Sequence, residues 1–271
     1  DTVVQTGARG ATTSVFIRGG AANFNKVIVD GVPANDIGGA FDFAQLSTTG
    51  VEQIEVLRQA NSVLYGSDAL AGVINITTRR GHTRVPEVIY SADGGSLGTW
   101  STGAGVGGVI GRFDYYSEYS RFETDNDVPN NGYRNGTYAA RFGFAVGRST
   151  DVSGTFRHAD ARAGSPDGIN LYGIADDAHQ DNALAYASAE VRSQHTDRWQ
   201  STLRGGWNSQ TIEYINPTPT GEPFDPFGFG VNYLGNEVTL RGANGYTVSG
   251  RAIQDFGGSY PSMFENDATR R

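Results

Sequence analysis

The clearest metal-ligand chemistry in the sequence is the run Glu123–Asp127, which reads ETDND. It places carboxylates at every second residue, and carboxylate and amide oxygens are the ligands that Ca²⁺ prefers. A solvated surface loop has the same composition, and spacing alone favours that ordinary interpretation. A calcium site is therefore one of two hypotheses for this run.

Residues that usually carry catalysis are scattered along the chain. The histidines are His82, His158, His179 and His195. They fall in a predicted hinge, strand, loop and turn, without metal-ligand spacing. No serine, histidine and aspartate set is suggested, and the glycines of Gly107–Gly111 do not follow a strand-to-helix step. We therefore predict that the protein is not an enzyme and requires no cofactor, a structural Ca²⁺ in the loops excepted.

Composition excludes several classes of protein. The formal net charge is −8 and Lys26 is the one lysine, so there is no basic stripe and we expect no nucleic-acid partner. The chain lacks cysteine, which removes disulfide scaffolds and thiolate metal sites. No run approaches the ~20 apolar residues that a membrane helix needs, so any membrane crossing must use strands.

The first part of the chain contains four short apolar runs that predict strands. Each is rich in β-branched residues and is bounded by Gly, Pro, Asn or Asp. The runs are Val15–Ile17, Val27–Val29, Ile54–Leu57 and Val73–Thr78. Residues 60–70 predict a short helical or irregular turn. We therefore expect a small α+β domain over residues 1–80.

From Val85 onward, segments of roughly ten residues alternate apolar and polar side chains, as the strands of a membrane barrel do. In residues 137–147, for example, Tyr138, Phe142 and Phe144 share one parity and Arg141 lies on the other. A soluble sandwich also alternates, because one face of each sheet is wet. Alternation therefore leaves both architectures open.

The lengths of the predicted connections favour the membrane barrel. Short turns are predicted near residues 107–111, 147–151 and 194–197, and long connections over 123–136, 160–181 and 212–237. The two kinds alternate strictly, as the short periplasmic turns and long external loops of outer-membrane barrels do.

Eight antiparallel strands are predicted after a hinge at residues 81–86. They are 87–92, 99–106, 111–122, 137–147, 152–158, 183–192, 198–210 and one beginning at Glu237. A 22-stranded transporter at roughly 22 residues per strand would need roughly 480 residues of barrel. We therefore expect residues 87–271 to be the N-terminal portion of an outer-membrane β-barrel.

Several motifs in fixed order resemble the plug domain of TonB-dependent outer-membrane receptors. They are FIRGG at 16–20, VIVDGV at 27–32, VEQIEVLR at 51–58 and LYGSDALAGVINITT at 64–78. The sequences of these motifs are similar to those of the vitamin B12 receptor branch of the family. One departure is Arg58-Gln59-Ala60, where the family usually has Arg-Gly-Pro.

The resemblance implies a fold, a cellular location and a function. The fold is a plug over residues 1–80, expected to lack the first strands of the family's plug, followed by transmembrane strands of a 22-stranded barrel in the outer membrane of a Gram-negative bacterium. The function is energy-coupled uptake of a scarce, bulky nutrient such as cobalamin or a ferric siderophore. The implied partners are the TonB energy-coupling complex, whose contact segment lies outside this chain, the small-molecule nutrient and the outer-membrane lipid.

The resemblance also implies site residues. The expected substrate contacts, for which ordinary turn chemistry is the alternative, are Thr12, Ser14, Ala21, Asn35, Ile37 and Gly38. The B12 branch has Asn where this chain has Ala21, which weakens the cobalamin interpretation. Arg18 and Arg58 are expected to pair with barrel glutamates.

A calcium site is implied as well. Asp125 and Asp127 match a calcium-binding run of the B12 branch, and the next external loop would contribute Asp160, Asp176 and Asp177. Two alternatives to the uptake receptor stay open: a soluble β-rich glycan-binding or adhesion module, and a signalling receptor of the same family. Dependence on detergent separates the first from a barrel.

Overall fold

The computed structural model describes residues 1–35, 39–58, 69–165, 178–196, 199–216 and 236–253. Its strands form three sheets: a two-stranded and a four-stranded sheet within residues 2–78, and an eight-stranded sheet within residues 87–253. No helix among these residues is long and apolar enough to cross a membrane.

The two small sheets make up the plug. Their strands are β1 Thr2–Gln5, β2 Thr13–Phe16, β3 Asn25–Val29, β4 Val32–Pro33, β5 Val51–Leu57 and β6 Gly72–Thr78. β1 pairs with β2, and the other four strands form a sheet in the order β4-β3-β6-β5. All four predicted runs form strands, and β1 and β4 are additional. Two 3-10 turns, Ala22–Phe24 and Phe43–Gln45, are the helical segments of the described plug. Most of the turn predicted at 60–70 lies outside the described residues.

The centre of the plug is the parallel pair β3 and β6. Every residue of β3 is buried, and Val27, Val29 and Ile76 are at most 1% exposed. An Asp30-Gly31 turn with positive φ at both residues joins β3 to β4, as a tight hairpin requires. The Asp30 carboxylate accepts bonds from Thr78 N at 2.8 Å and Thr78 Oγ1 at 2.5 Å, which ties this hairpin to β6.

We call the eight-stranded antiparallel sheet the wall. Its strands are β7 Glu87–Gly94, β8 Trp100–Ile110, β9 Phe113–Thr124, β10 Tyr133–Val146, β11 Thr150–Gly164, β12 His179–Thr196, β13 Trp199–Asn216 and β14 Asn236–Ile253. These strands lie side by side in sequence order. Eight strands are as predicted. Most are longer than predicted, because charged pairs such as Arg162 with Asp181 continue the pairing where apolar alternation has ended.

The connections of the wall sort into two rims. Among the described residues, the short-turn rim carries the connections 111–112 and 147–149, and the long-loop rim carries 125–132. The later connections lie wholly or mostly outside the described residues, and the strand bounds make the one between β12 and β13 short and those on either side of it long. Short and long connections alternate as predicted. No strand lies between Thr78 and Glu87, a fully described stretch that includes the predicted hinge. The hinge boundaries themselves stay a prediction.

The wall turns its apolar side chains outward, away from the plug. Phe142, Phe144 and Phe156 keep 47%, 48% and 40% of their surface exposed. The opposite face is covered by the plug, and its residues Tyr116, Ala139 and Arg157 are at most 3% exposed. A soluble sandwich would bury its apolar parity. An apolar outer face is what a barrel in lipid requires, and the predicted transmembrane strands are confirmed.

Candidate functional site

The site of interest is the interface between the plug and the inner face of the wall. Cross-strand register places five residues in one row across this face: Glu118, Ala139, Arg157, Tyr186 and Asn208. Members of this row hold two separate parts of the plug.

The first part is the plug turn, residues 44–50. Asp42 comes just before this turn and fixes its start, because its Oδ1 accepts from Ala44 N and Thr13 N, each at 2.9 Å. The wall then binds its first two carbonyls: Tyr133 donates from its hydroxyl to Ala44 O at 2.8 Å, and Asn135 donates from Nδ2 to Gln45 O at 3.4 Å.

The second half of the plug turn meets charged groups of both signs. Arg157 donates from Nη1 to Thr49 O at 2.8 Å and from Nη2 to Ser47 O. Glu118 Oε2 accepts from Gly50 N at 2.9 Å, and the hydroxyls of Thr49 and Ser120 are hydrogen-bonded. The wall therefore supplies donors to the carbonyls of this turn and an acceptor to its free N–H.

Gly50 is required where the plug turn crosses β10. Its φ is +64°, a value that residues with a side chain rarely adopt. A Cβ at this position would also lie 2.6 Å from the Cβ of Ala139, so the backbone approaches the wall too closely for any side chain.

The second part of the plug held by the wall is the β3–β4 hairpin. Asn208 donates from Nδ2 to Pro33 O at 2.7 Å, and Gly206 leaves room for Val32. Apolar packing joins the two bodies, because Ala159, Leu184 and Tyr186 of the wall belong to the same buried cluster as the centre of the plug.

The last residues of the plug contact the short-turn rim. Arg80 pairs with Asp114, 3.1 Å from Nη2 to Oδ2, and Asp114 is 6% exposed. Gly81 lies against the backbone of Gly108, with no space for a Cβ. Val109 N donates to Thr83 O at 2.8 Å. The segment that joins plug and wall is therefore packed at this rim.

The plug loop between β1 and β2 lies beside the long-loop rim. Asn126 of the 125–132 connection donates from Nδ2 to Arg9 O at 3.0 Å, and the Arg9 guanidinium lies 4.9 Å from the Phe122 ring centroid. Thr12, a predicted substrate contact, is exposed in this loop, whereas Ser14 is half-buried in β2. Thr12 is thus positioned near the rim that carries the long connections.

The other predicted substrate residues are placed differently. Ala21 is exposed ahead of the first 3-10 turn. Asn35 uses its amide within the plug: Oδ1 accepts from Val27 N, and Nδ2 donates to Asn25 O and Gly39 O, at 2.7–2.8 Å. Ile37 and Gly38 lie outside the described residues. The substrate roles of this set stay predictions.

Arg18 and Arg58 lie together on a plug surface that the described wall strands do not cover. Arg18 donates from Nη1 to Arg58 O at 3.1 Å, and Arg58 Nε lies 2.7 Å from Asp1 Oδ2. The Arg58 side chain is 68% exposed. Their pairing with barrel glutamates stays a prediction.

The predicted calcium ligands do not converge within the described residues. Asp125 and Asp127 begin the 125–132 connection, and Asp125 N donates to Leu97 O at 2.9 Å. Asp160 lies on the outward face of β11, where it contacts His158 at 2.7 Å. Asp176 and Asp177 lie outside the described residues. The described part of the chain holds no group of three His, Asp or Glu residues that could bind a metal ion. The calcium site stays a prediction.

The wall residues that hold the plug were not predicted as site residues. Alternation places Arg157 and Glu118 on the polar parities of their strands, which is the signal that the sequence offers. Their acceptors and donors are backbone groups of the plug turn, and every residue has such groups.

Comparisons with known proteins agree with this architecture. The family described as TonB-dependent Receptor Plug Domain matches residues 2–73. The vitamin B12 transporter BtuB of Photobacterium profundum is 33% identical over 159 residues, which are 53% of this chain and 25% of that protein. BtuB of Vibrio vulnificus is 29% identical over 221 residues, 79% of this chain and 35% of that protein.

Solved structures share the fold at low identity. The ferric yersiniabactin uptake receptor FyuA from Yersinia pestis superposes with a TM-score of 0.68 at 18% identity, over 94% of this chain and 41% of that one. The siderophore receptor PirA from Acinetobacter baumannii gives 0.65 at 18% identity, over 92% and 41%.

The chain spans about a quarter to a third of the length of the two curated relatives. Motifs, family match and architecture agree with one another: the chain belongs to the TonB-dependent receptors of the Gram-negative outer membrane.

Proposed function

We propose that this chain is the plug and the first eight wall strands of a receptor that captures a scarce, bulky nutrient outside the cell and imports it. The observation that carries the proposal is a plug hydrogen-bonded to the inner face of a wall whose outer face is apolar. Such a plug blocks the route through the barrel in the resting receptor. Import therefore requires an energy source that displaces part of the plug. The TonB energy-coupling complex is the proposed source.

Cobalamin is the favoured nutrient. Asp125 and Asp127 of the acidic run lie on the 125–132 connection at the long-loop rim, as the resemblance to the B12 branch implies, and relatives that cover up to 79% of this chain carry the name vitamin B12 transporter. Ala21 weakens the cobalamin assignment. Of the receptors that share the fold, PirA is described as a siderophore receptor and FyuA as a ferric yersiniabactin uptake receptor. A ferric siderophore is therefore the second candidate. Either function is binding and gated transport without covalent chemistry.

Binding by the complete receptor in detergent tests the proposal. Cobalamin and a panel of ferric siderophores are titrated with and without Ca²⁺. We expect saturable cobalamin binding that Ca²⁺ strengthens. Siderophore binding that is indifferent to Ca²⁺ would keep the uptake function and exclude the cobalamin assignment, and binding of neither class would exclude the proposal.

A further inference from the structure

Two asparagines of the 125–132 connection have a left-handed backbone conformation. Asn126 has φ 55° and Asn130 has φ 57°. Asparagine and glycine adopt this region more readily than other residues do, so the conformation favours these two residue types at both positions. The connection lies at the long-loop rim, between β9 and β10. The two side chains bind different neighbours of this connection.

The Asn126 amide joins the connection to the plug. Its Nδ2 donates to Arg9 O of the β1–β2 loop at 3.0 Å and to Asn131 O within the connection at 2.5 Å. A primary amide has two N–H donors, and Asn126 uses both of them. Asn126 therefore fixes the distance between the rim of the wall and the plug loop that carries Thr12.

The Asn130 amide joins the same connection to both ends of the next long one, between β11 and β12. Its Nδ2 donates to Ser165 O and to Ala178 O, each at 2.9 Å. Ser165 directly follows β11 and Ala178 directly precedes β12, and Ser165 N donates to Ala178 O at 2.9 Å. Ala178 is 0% exposed. Asn130 therefore ties together the two chain ends from which the β11–β12 connection leaves the wall.

The backbone of the connection is packed against its neighbours as well. A Cβ at Gly164, the last residue of β11, would lie 2.2 Å from Asn130 O. On the other side, Asp125 N donates to Leu97 O, in the turn between β7 and β8. The 125–132 connection is thus held by the plug loop, by the β7–β8 turn and by the ends of β11 and β12.

We propose that Asn126 and Asn130 are positioning residues for nutrient capture, which hold the β1–β2 loop and the ends of the β11–β12 connection at a fixed spacing across the long-loop rim. They act through the segments that they hold. A binding site built from separate segments loses affinity when binding must first order those segments, and bonds that order them beforehand remove this cost. The inference rests on the uptake function proposed above and adds the residues that organise its capture surface.

Glycine substitution removes each amide without straining the backbone, because glycine adopts positive φ readily. Asn126→Gly and Asn130→Gly are compared in the complete receptor with Asn131→Gly, whose side chain makes no hydrogen bond within the described part of the chain. Uptake by cells is measured against the concentration of labelled cobalamin, or of the ferric siderophore that the parent receptor binds. We expect a several-fold higher half-saturation concentration for the first two variants, an unchanged maximal rate, and no change in the control.

Asn130→Asp separates the hydrogen bonds from the shape of the side chain. Aspartate has nearly the same size and also tolerates the left-handed region, but its carboxylate has no N–H to donate to the carbonyls of Ser165 and Ala178. We therefore expect Asn130→Asp to lose as much nutrient affinity as Asn130→Gly. Parental affinity in both folded variants would overturn the inference.

Hydrogen exchange tests the positioning without any nutrient. The β1–β2 loop has a bonded amide at Thr6, which donates to Thr12 O at 3.1 Å, and the base of the β11–β12 connection has one at Ser165. We expect faster exchange of the first amide in Asn126→Gly and of the second in Asn130→Gly. Unchanged exchange at both amides would overturn the inference. Faster exchange at both in a receptor whose parent takes up no nutrient would instead strike the proposed function.

Discussion

Arg157 of the wall donates to the carbonyl oxygen of Thr49 of the plug over 2.8 Å, across 108 positions of the chain. Glu118, two strands away, accepts from the next residue, Gly50. A cation and an anion of the wall therefore bind opposite ends of the same peptide segment. This arrangement fixes both the position and the direction of the plug turn, because carbonyls and N–H groups cannot exchange places.

Gly50→Ala should loosen the plug turn. The substitution meets an unfavourable φ and a contact of 2.6 Å with Ala139, and we expect a loss of about 1–3 kcal/mol in the stability of this contact. Hydrogen exchange of residues 44–51 in the complete receptor measures it. Gly111→Ala is the matched control, since Gly111 has φ +63° with no atom within 4 Å of a Cβ. Equal effects of the two changes would show that the close approach to Ala139 is unimportant.

Arg58→Ala distinguishes two roles of this exposed arginine. Its contact with Asp1 is on the surface, where ion pairs contribute about 0–1 kcal/mol. Pairing with barrel glutamates in the complete receptor would make the loss larger and would loosen the plug. Exchange protection of the plug decides between them, with Arg148→Ala in an exposed turn as the control. Unchanged plug protection in Arg58→Ala would count against the glutamate pairs.

Asp125→Asn and Asp127→Asn should abolish any strengthening of nutrient binding by Ca²⁺, because both carboxylates lie on the connection at the long-loop rim. Asp160→Asn should leave the response to Ca²⁺ unchanged, since Asp160 faces outward beside His158. Isothermal titration of the complete receptor with nutrient, at fixed Ca²⁺, measures both effects. Loss of the calcium response in Asp160→Asn would show that Asp160 is a calcium ligand, as the resemblance implies.

Phe142→Lys tests the orientation of the wall. Phe142 is 47% exposed on the outward face, and a lysine facing lipid costs about 2–4 kcal/mol near the middle of the bilayer. Urea titration of the receptor folded into lipid vesicles measures the loss. Ser153→Lys, on the inner face of β11, is the control and should cost less. A lysine at 142 that is tolerated as well as one at 153 would contradict the outward assignment.

Much of the fold was predictable because its signals are local. Alternating side chains and the strict order of short and long connections predicted eight wall strands. The strand β1 was missed because all four of its residues are exposed and show no apolar pattern. β4 was missed because two residues, one of them Pro33, are too few for any periodicity, and its pairing follows from the Asp30-Gly31 turn.

The contacts of the site were less predictable. Parity placed Arg157 on the polar side of its strand, but its acceptors are carbonyls of the plug turn, which no residue type reveals. Asn35 illustrates the converse. The resemblance implied a substrate contact for Asn35, which stays a prediction, and nothing in the sequence indicated that its amide makes three hydrogen bonds inside the plug. Local pattern indicates which face a side chain occupies, and tertiary packing decides what it binds.

Accumulation of labelled cobalamin by cells tests the central claim most directly. Cells that carry the complete receptor are compared with cells that lack it and with cells that lack the energy-coupling complex. We predict accumulation in the first strain alone, with surface binding retained when coupling is absent. A receptor that reaches the outer membrane and supports accumulation of neither cobalamin nor any ferric siderophore would contradict the account.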